Sequence, residues 1–223
     1  MREKSEIPPF QAYIFDVDGT LVDSAPDICG AIKTVLATTA RADTEETFLK
    51  RYIGYHLRTL FQDLFPGISE EEIEALICRY RQEYPARDHA LTQLYPGVRE
   101  TLGRLAGRKS TATTKSTATT RVVLQRFGLL SYFDHVQGTD GFPSKPAPDV
   151  ILRSLEALGV PPEQCLLVGD SAPDMEAGRL AGVKLCAVTY GYGDLDRMRL
   201  FEPEYWIDDL RELLPAPVRS QVS

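Results

Sequence analysis

Cysteine, histidine and tryptophan are scarce in this chain of 223 residues, which holds four, three and one of them respectively. Cys29, Cys78, Cys165 and Cys186 stand far apart, with no C-x-x-C pair. That spacing argues against a disulfide frame or a thiolate zinc site and suits the reduced thiols of a cytoplasmic protein. No apolar run is long enough to cross a membrane. The start, MREKSEIPPF, lacks the apolar core of a signal peptide. Basic runs are also missing. Lys and Arg total 25 against 32 Asp and Glu, a net charge of -7, so a surface for the nucleic-acid backbone is not expected. What is present is ordinary for a globular chain, 43% hydrophobic and 26% charged. The length allows one large domain, or a core with a smaller insert. The expected partner is a small molecule, and the expected assembly a monomer or homodimer.

The most informative stretch is Tyr13-Ile14-Phe15-Asp16-Val17-Asp18-Gly19-Thr20-Leu21. An apolar run bounded by a turn signal reads as a buried strand. Ligands of open α/β sheets bind beyond the carboxyl ends of the strands, which places Asp16 and Asp18 on the chemical rim. Two carboxylates held together require a cation or a shared proton.

From about Asp23 to about Leu94 the spacing turns helical. Ile28, Ile32, Val35 and Leu36 form one stripe, and Ile73, Leu76, Ile77 and Tyr80 another. Asp43-x-x-Glu46 and Ser69-x-x-Glu72 have capping-box spacing. The expectation is a small all-helical insert of about four helices over 23–94, dividing an α/β core made of 1–22 and 95–223. In that core a helix carries Val98, Leu102 and Leu105. The repeat Ser110-Thr-Ala-Thr-Thr114, Lys115, Ser116-Thr-Ala-Thr-Thr120 reads as a strand through about Thr113, a turn, and a helix to Phe127 closed by Gly128. Further strands are expected at Phe133–Gln137, Cys165–Asp170, Lys184–Thr189 and Tyr205–Ile207. A helix is expected to open over Lys145-Pro-Ala-Pro-Asp149 and run to about Leu158, and others from about Asp174 to Leu180 and from Leu210 to Leu214. Such alternation implies a mostly parallel, Rossmann-like sheet covered on both faces.

Three strand ends therefore present polar groups: Asp16 with Asp18, Thr113 with Thr114, and Asp170 with Asp174. Lys145 lies on a loop between the last two. Asp-rich sites poor in His and Cys are hard oxygen sites, suited to Mg²⁺. A magnesium ion, a lysine, hydroxyls and free backbone N–H groups together form a receptacle for a phosphoryl group.

Asp16-Val-Asp18-Gly-Thr-Leu, Thr113 followed by Lys115, Lys145-Pro, and Gly169-Asp170-Ser-x-x-Asp174 resemble the four motifs of the haloacid dehalogenase superfamily in order and rough spacing. The helical insert resembles that superfamily's helical cap, so the likeness spans nearly the whole chain. Tyr95-Pro-Gly97, Gly138-Thr-Asp140 and Gly191-Tyr-Gly193 resemble its phosphoglycolate phosphatase-like branch. The resemblance implies that Asp16 is the nucleophile and Asp18 the general acid and base. It implies that Thr113 holds a phosphoryl oxygen and Lys145 offsets charge. Mg²⁺ would be bound by Asp16, the Asp18 backbone carbonyl and Asp170, with Asp174 supporting the metal or Lys145. Because the pentapeptide STATT occurs twice, Thr119 or Thr120 is also available as the second motif. Lys115, directly after the first copy, favours Thr113.

A cap must reach the site with some loop, and Arg51-Tyr-Ile-Gly54-Tyr55-His56-Leu-Arg58 is suited to that. Arg51, Tyr55 or Arg58 could pair with a carboxylate or second phosphate; a solvated helix end is the alternative. The alternative for Asp174 is that it merely caps the following helix. His56, His89 and His135 read as structural or surface residues. The expected activity is hydrolysis of a small phosphorylated metabolite, with phosphoglycolate leading. Pyrophosphatase, sugar-phosphate phosphatase, nucleotidase and β-phosphoglucomutase-like phosphomutase activities stay open, as does a binding protein with a vestigial site.

Overall fold

The structure is a computed structural model and describes residues 6–215. The first five positions of the expected N-terminal lead-in lie outside the described residues. The central sheet is parallel, with strand order β4-β1-β5-β6-β7. Its strands are β1 (Ala12–Phe15), β4 (Arg108–Thr111), β5 (Cys165–Gly169), β6 (Lys184–Val188) and β7 (Tyr205–Ile207). Both faces are covered, which explains the continuous apolar runs. In β1, Tyr13 and Phe15 enter one core cluster while Ala12 and Ile14 enter another on the opposite face, as the two-residue period of a strand requires.

Two short strands, β2 (Val22–Asp23) and β3 (Gln93–Leu94), pair antiparallel. Between them run α1 (Ala25–Leu36), α2 (Glu46–Lys50), α3 (Leu57–Leu64) and α4 (Glu70–Ala86). These helices carry a third hydrophobic cluster containing Ile28, Ile32, Val35, Leu36, Ile73, Leu76 and Ile77. Ser69 and Glu72 close the expected capping box at the start of α4. The other proposed box does not form. Helix α2 begins at Glu46 with Glu45 at its N-cap and no side-chain cap.

The remaining helices cover the sheet: α5 (Val98–Arg104), α6 (Thr117–Arg126), α7 (Asp149–Leu158), α8 (Ala172–Ala181) and α9 (Leu195–Arg199). Three other expectations change. Strand β4 stops at Thr111 rather than Thr113. Its polar residues are tolerated because they find partners. Ser110 Oγ donates to Ser154 Oγ at 3.0 Å, and Ser154 Oγ lies 2.9 Å from the Thr111 carbonyl. Residues 133–137 form no strand. Asp134 N and His135 N both donate to the Lys109 carbonyl, at 2.9 and 3.2 Å, and side chains make the other bonds to β4. Lys109 N donates to Asp134 Oδ2 at 2.8 Å, and Gln137 N donates to Thr111 Oγ1 at 2.9 Å. The expected helix from Leu210 to Leu214 is a 3₁₀ turn over Leu210–Leu213.

Candidate active site

Strand register brings the site together. Phe15 is level with Thr111 on one side and Val168 on the other. Asp16, Ala112–Thr113 and Gly169–Asp170 therefore leave the sheet at one rim. Asp16, Asp18, Thr113, Lys145, Asp170 and Asp174 are all buried.

Lys145 ties the rim together. Its Nζ donates to Asp16 Oδ1 at 2.8 Å, to the Ala112 carbonyl at 2.9 Å and to Asp174 Oδ1 at 2.5 Å. Asp174 does both jobs that the sequence left open. One oxygen accepts from Lys145, and the other accepts from Ser171 N at 3.1 Å and from Ser171 Oγ, closing a capping box on α8. Asp170 accepts from Thr20 Oγ1 at 3.1 Å and from Tyr192 N at 2.8 Å. The turn at Gly19 passes so close that a Cβ there would lie 2.2 Å from Asp170 Oδ2, and its φ is +86°. Only glycine suits both demands.

Asp18 faces differently. It accepts from Ser24 Oγ at 2.5 Å, and its Oδ2 lies 3.0 Å from Lys115 Nζ. Its carboxylate is not among the three, Asp16, Asp170 and Asp174, that each bring one oxygen within 4.8 Å of the others. Thr113 Oγ1 accepts from Lys115 N at 3.3 Å. Thr114, Lys115 and Asp18 line a cavity of about 650 Å³, whose wall continues with Tyr80 and Tyr84 of α4 and with Ile28, Ile32 and Leu60.

The loop over 51–58 does reach the rim, but through its backbone. A Cβ on Gly54 would stand 3.0 Å from Ser171 Oγ. Its two arginines do not line the cavity. Arg51 stacks over the Phe48 ring, 5.0 Å from its centroid, and Arg58 pairs with Glu70 and Glu74. Tyr55 does line the cavity, and its hydroxyl lies 3.4 Å from Arg197 Nη1. His56 is structural; its Nδ1 accepts from Arg58 N to cap α3.

Several site groups were not singled out by sequence. Lys115 served only to mark register, yet it is buried against Asp18. Thr20, Ser24 and Tyr192 hold the aspartates; Tyr192 Oη also donates to Asp23 Oδ1 at 2.6 Å. The Asp-Gly-Thr turn and the Gly-Tyr-Gly run carried the available signal for Thr20 and Tyr192. Nothing local marks Ser24.

Burial pushes the Asp16 carboxyl up to about 7, with Lys145 opposing and Asp174 and Asp18 adding to the rise. Burial, then Asp16 and Asp174, raise Asp170 as well. Burial works against the Lys145 charge, but Asp16 and Asp174 outweigh it and hold the ammonium protonated. The cluster thus carries more carboxylates than its lysine can balance. Asp16 Oδ2 is buried with no hydrogen-bond partner. An orphaned carboxylate oxygen among hard oxygen donors fits a divalent cation such as Mg²⁺.

A pH dependence follows from the raised Asp16 carboxyl. The folded protein binds a proton there that the unfolded chain releases near 3.8, so stability falls as pH rises from about 4 to about 7. Thermal melts in chelator should show that decline, and saturating Mg²⁺ should flatten it by favouring the ionised form. Equal slopes with and without Mg²⁺ would mean that no cation binds the cluster.

Residues 13–188 match the model of the haloacid dehalogenase-like hydrolases, and the chain belongs to that family. Among its relatives, phosphoglycolate phosphatase 1 of Pseudomonas aeruginosa is 37% identical over 213 residues, covering 91% of this chain and 78% of that protein. The phosphoglycolate phosphatase of Aquifex aeolicus is 33% identical, with 83% of this chain and 88% of that protein covered. A haloacid dehalogenase-like family hydrolase from Streptococcus pneumoniae superposes with a TM-score of 0.84 at 27% identity, covering 92% of this chain and 97% of that one.

Proposed function

We propose that this protein hydrolyses a small phosphomonoester in two steps through a phosphoryl group carried on Asp16. The observation that carries the reading is Lys145, which holds Asp16 and Asp174 by short contacts at a rim where three carboxylates converge. An aspartate fixed through one oxygen by a buried lysine, with its other oxygen unpartnered, is arranged for nucleophilic attack rather than for packing. Asp16 attacks phosphorus, and Asp18, at the cavity wall, gives its proton to the departing alcohol oxygen. Asp18 then takes a proton from the water that releases phosphate. Thr113 and Lys145 hold phosphoryl oxygens, and Lys145 keeps the nucleophile oriented throughout. Mg²⁺ would be held by Asp16, Asp170 and the Asp18 carbonyl, and when bound it offsets the phosphoryl charge. Both Asp174 oxygens are engaged by Lys145 and Ser171, so its role is to position the lysine. The helices over 23–94 would act as a cap that closes the cavity over the leaving group.

Phosphoglycolate is the preferred substrate on this reading, supported by the activity named for the Pseudomonas and Aquifex relatives. The test is phosphate release from a panel of small esters and pyrophosphate, with and without Mg²⁺. Release that depends on Mg²⁺, with phosphoglycolate fastest, is the expected result. A faster pyrophosphate or sugar phosphate would reassign the substrate. Interconversion of sugar phosphates without phosphate release would make the protein a mutase.

A further inference from the structure

Apart from the groups already given a role, the cavity floor holds one buried cation. The Lys115 side chain is only 9% exposed, and its Nζ lies 3.0 Å from Asp18 Oδ2. It also stands 4.4 Å from the centroid of the Tyr84 ring. Burial works against its charge, but Asp18, Tyr84 and Tyr80 outweigh the burial and keep it protonated. Beside it, the buried Tyr84 hydroxyl makes no hydrogen bond of normal geometry. An ammonium has three protons to donate, and Asp18 takes one.

The other lysine or arginine that lines the cavity, Arg81, is solvent-exposed, whereas Lys115 is packed against Asp18. Arg51 and Arg58 are occupied elsewhere, and Ile28, Ile32, Leu60 and Ile77 make an aliphatic part of the wall. A charge placed against that wall would lose its hydration without compensation. Resting on the phosphatase reading, we infer that Lys115 selects the substrate by receiving an anionic substituent of the leaving group. The substituent is a carboxylate or second phosphate, close to the ester oxygen, and the Tyr84 hydroxyl is its second donor.

Reach sets that closeness. The leaving oxygen must come within hydrogen-bond distance of the Asp18 carboxyl, whose Oδ2 is itself 3.0 Å from Lys115 Nζ. An anion contacting Nζ at about 3 Å therefore belongs to the same compact fragment as the ester oxygen, about one or two carbons away. A longer spacer would carry the anion past the lysine into the aliphatic wall. A lysine suits this place because its compact point charge serves either a carboxylate or a phosphate.

The test compares kcat/KM for 2-phosphoglycolate and ethyl phosphate, which differ in the carboxylate. The wild-type protein should favour the carboxylated ester at least about tenfold. Lys115→Met should reduce that ratio by about tenfold to a hundredfold, and Lys115→Arg should retain more of it than Lys115→Met does. If Lys115→Met does not fold, the same ratio is read in Lys115→Gln. A wild-type ratio near one, or a ratio unchanged by removal of the ammonium, overturns the role of Lys115. Hydrolysis of both esters without preference removes that role and leaves the phosphatase reading standing. Failure to hydrolyse either ester above an Asp16→Asn blank removes both.

Discussion

Asp16→Asn should lower phosphate release by at least ~10³-fold, the order of loss seen when a covalent nucleophile is removed. The amide nitrogen cannot attack phosphorus as a carboxylate does, and an amide is a poorer ligand for a hard cation. The fold should survive. In the wild-type protein this carboxyl is held at a cost, since burial raises it to about 7 against the pull of Lys145. A neutral group of the same shape removes that cost, although one charged contact with Lys145 goes with it. The melting temperature should therefore stay within a few degrees of wild type, while activity disappears. Ordinary phosphate release from the folded variant would show that Asp16 is not the nucleophile.

Lys145→Met should do the reverse and harm both stability and rate. The lysine is fully buried and donates to two carboxylates at once. Its removal leaves Asp16 and Asp174 without a cation in a dry site, a situation worth about 3–5 kcal/mol of destabilisation. For a chain of this size that corresponds to a fall of roughly 10 °C in melting temperature. Lowering the pH should reduce the deficit, because protonated carboxyls no longer need the lysine. The rate should fall by about 10²–10³-fold as well, the scale on which one preorganised donor at a reacting centre counts. A variant that melts with the wild type at neutral pH would mean that the two carboxylates do not depend on the lysine for their charge balance.

These two effects concern residues 129 positions apart in the chain, yet both were visible as candidates in the sequence. Each stands at a strand end or beside a proline-marked turn, where local signals are strong. The helix of the second STATT copy was also legible, because Val122, Val123 and Phe127 lend it periodicity and Gly128 ends it. Less legible was the edge strand β4. Its residues are as polar as a loop's, and they remain in a strand because Ser154 arrives from α7 to satisfy the buried hydroxyls. Residues 133–137 have the composition of a strand, but Asp134 and Thr111 use side chains for part of the bonding a ladder would need.

The arginines of the 51–58 loop show the same limit on the binding side. Charge and position made Arg51 and Arg58 plausible contacts for an anion. Phe48, Glu70 and Glu74, brought beside them by the packing of α2 and α4, took those charges instead. Lys115, which sequence reading used only as a marker, is the cation that packing buries next to Asp18.

By itself the sequence determined the parallel α/β core, the helical character of the insert read over about 23–94, and the aspartates at the ends of β1 and β5. Periodicity, turns and caps act within a few residues, so the chain states them locally. Only the tertiary structure decided that the strand of the first pentapeptide stops at Thr111 and that residues 133–137 hold no strand. It likewise decided that Asp18 faces Lys115 while Asp16, Asp170 and Asp174 share a site. Ion pairing and burial depend on which distant segments meet, and a charge of either sign reads the same in sequence whether it is solvated, paired or poised for chemistry.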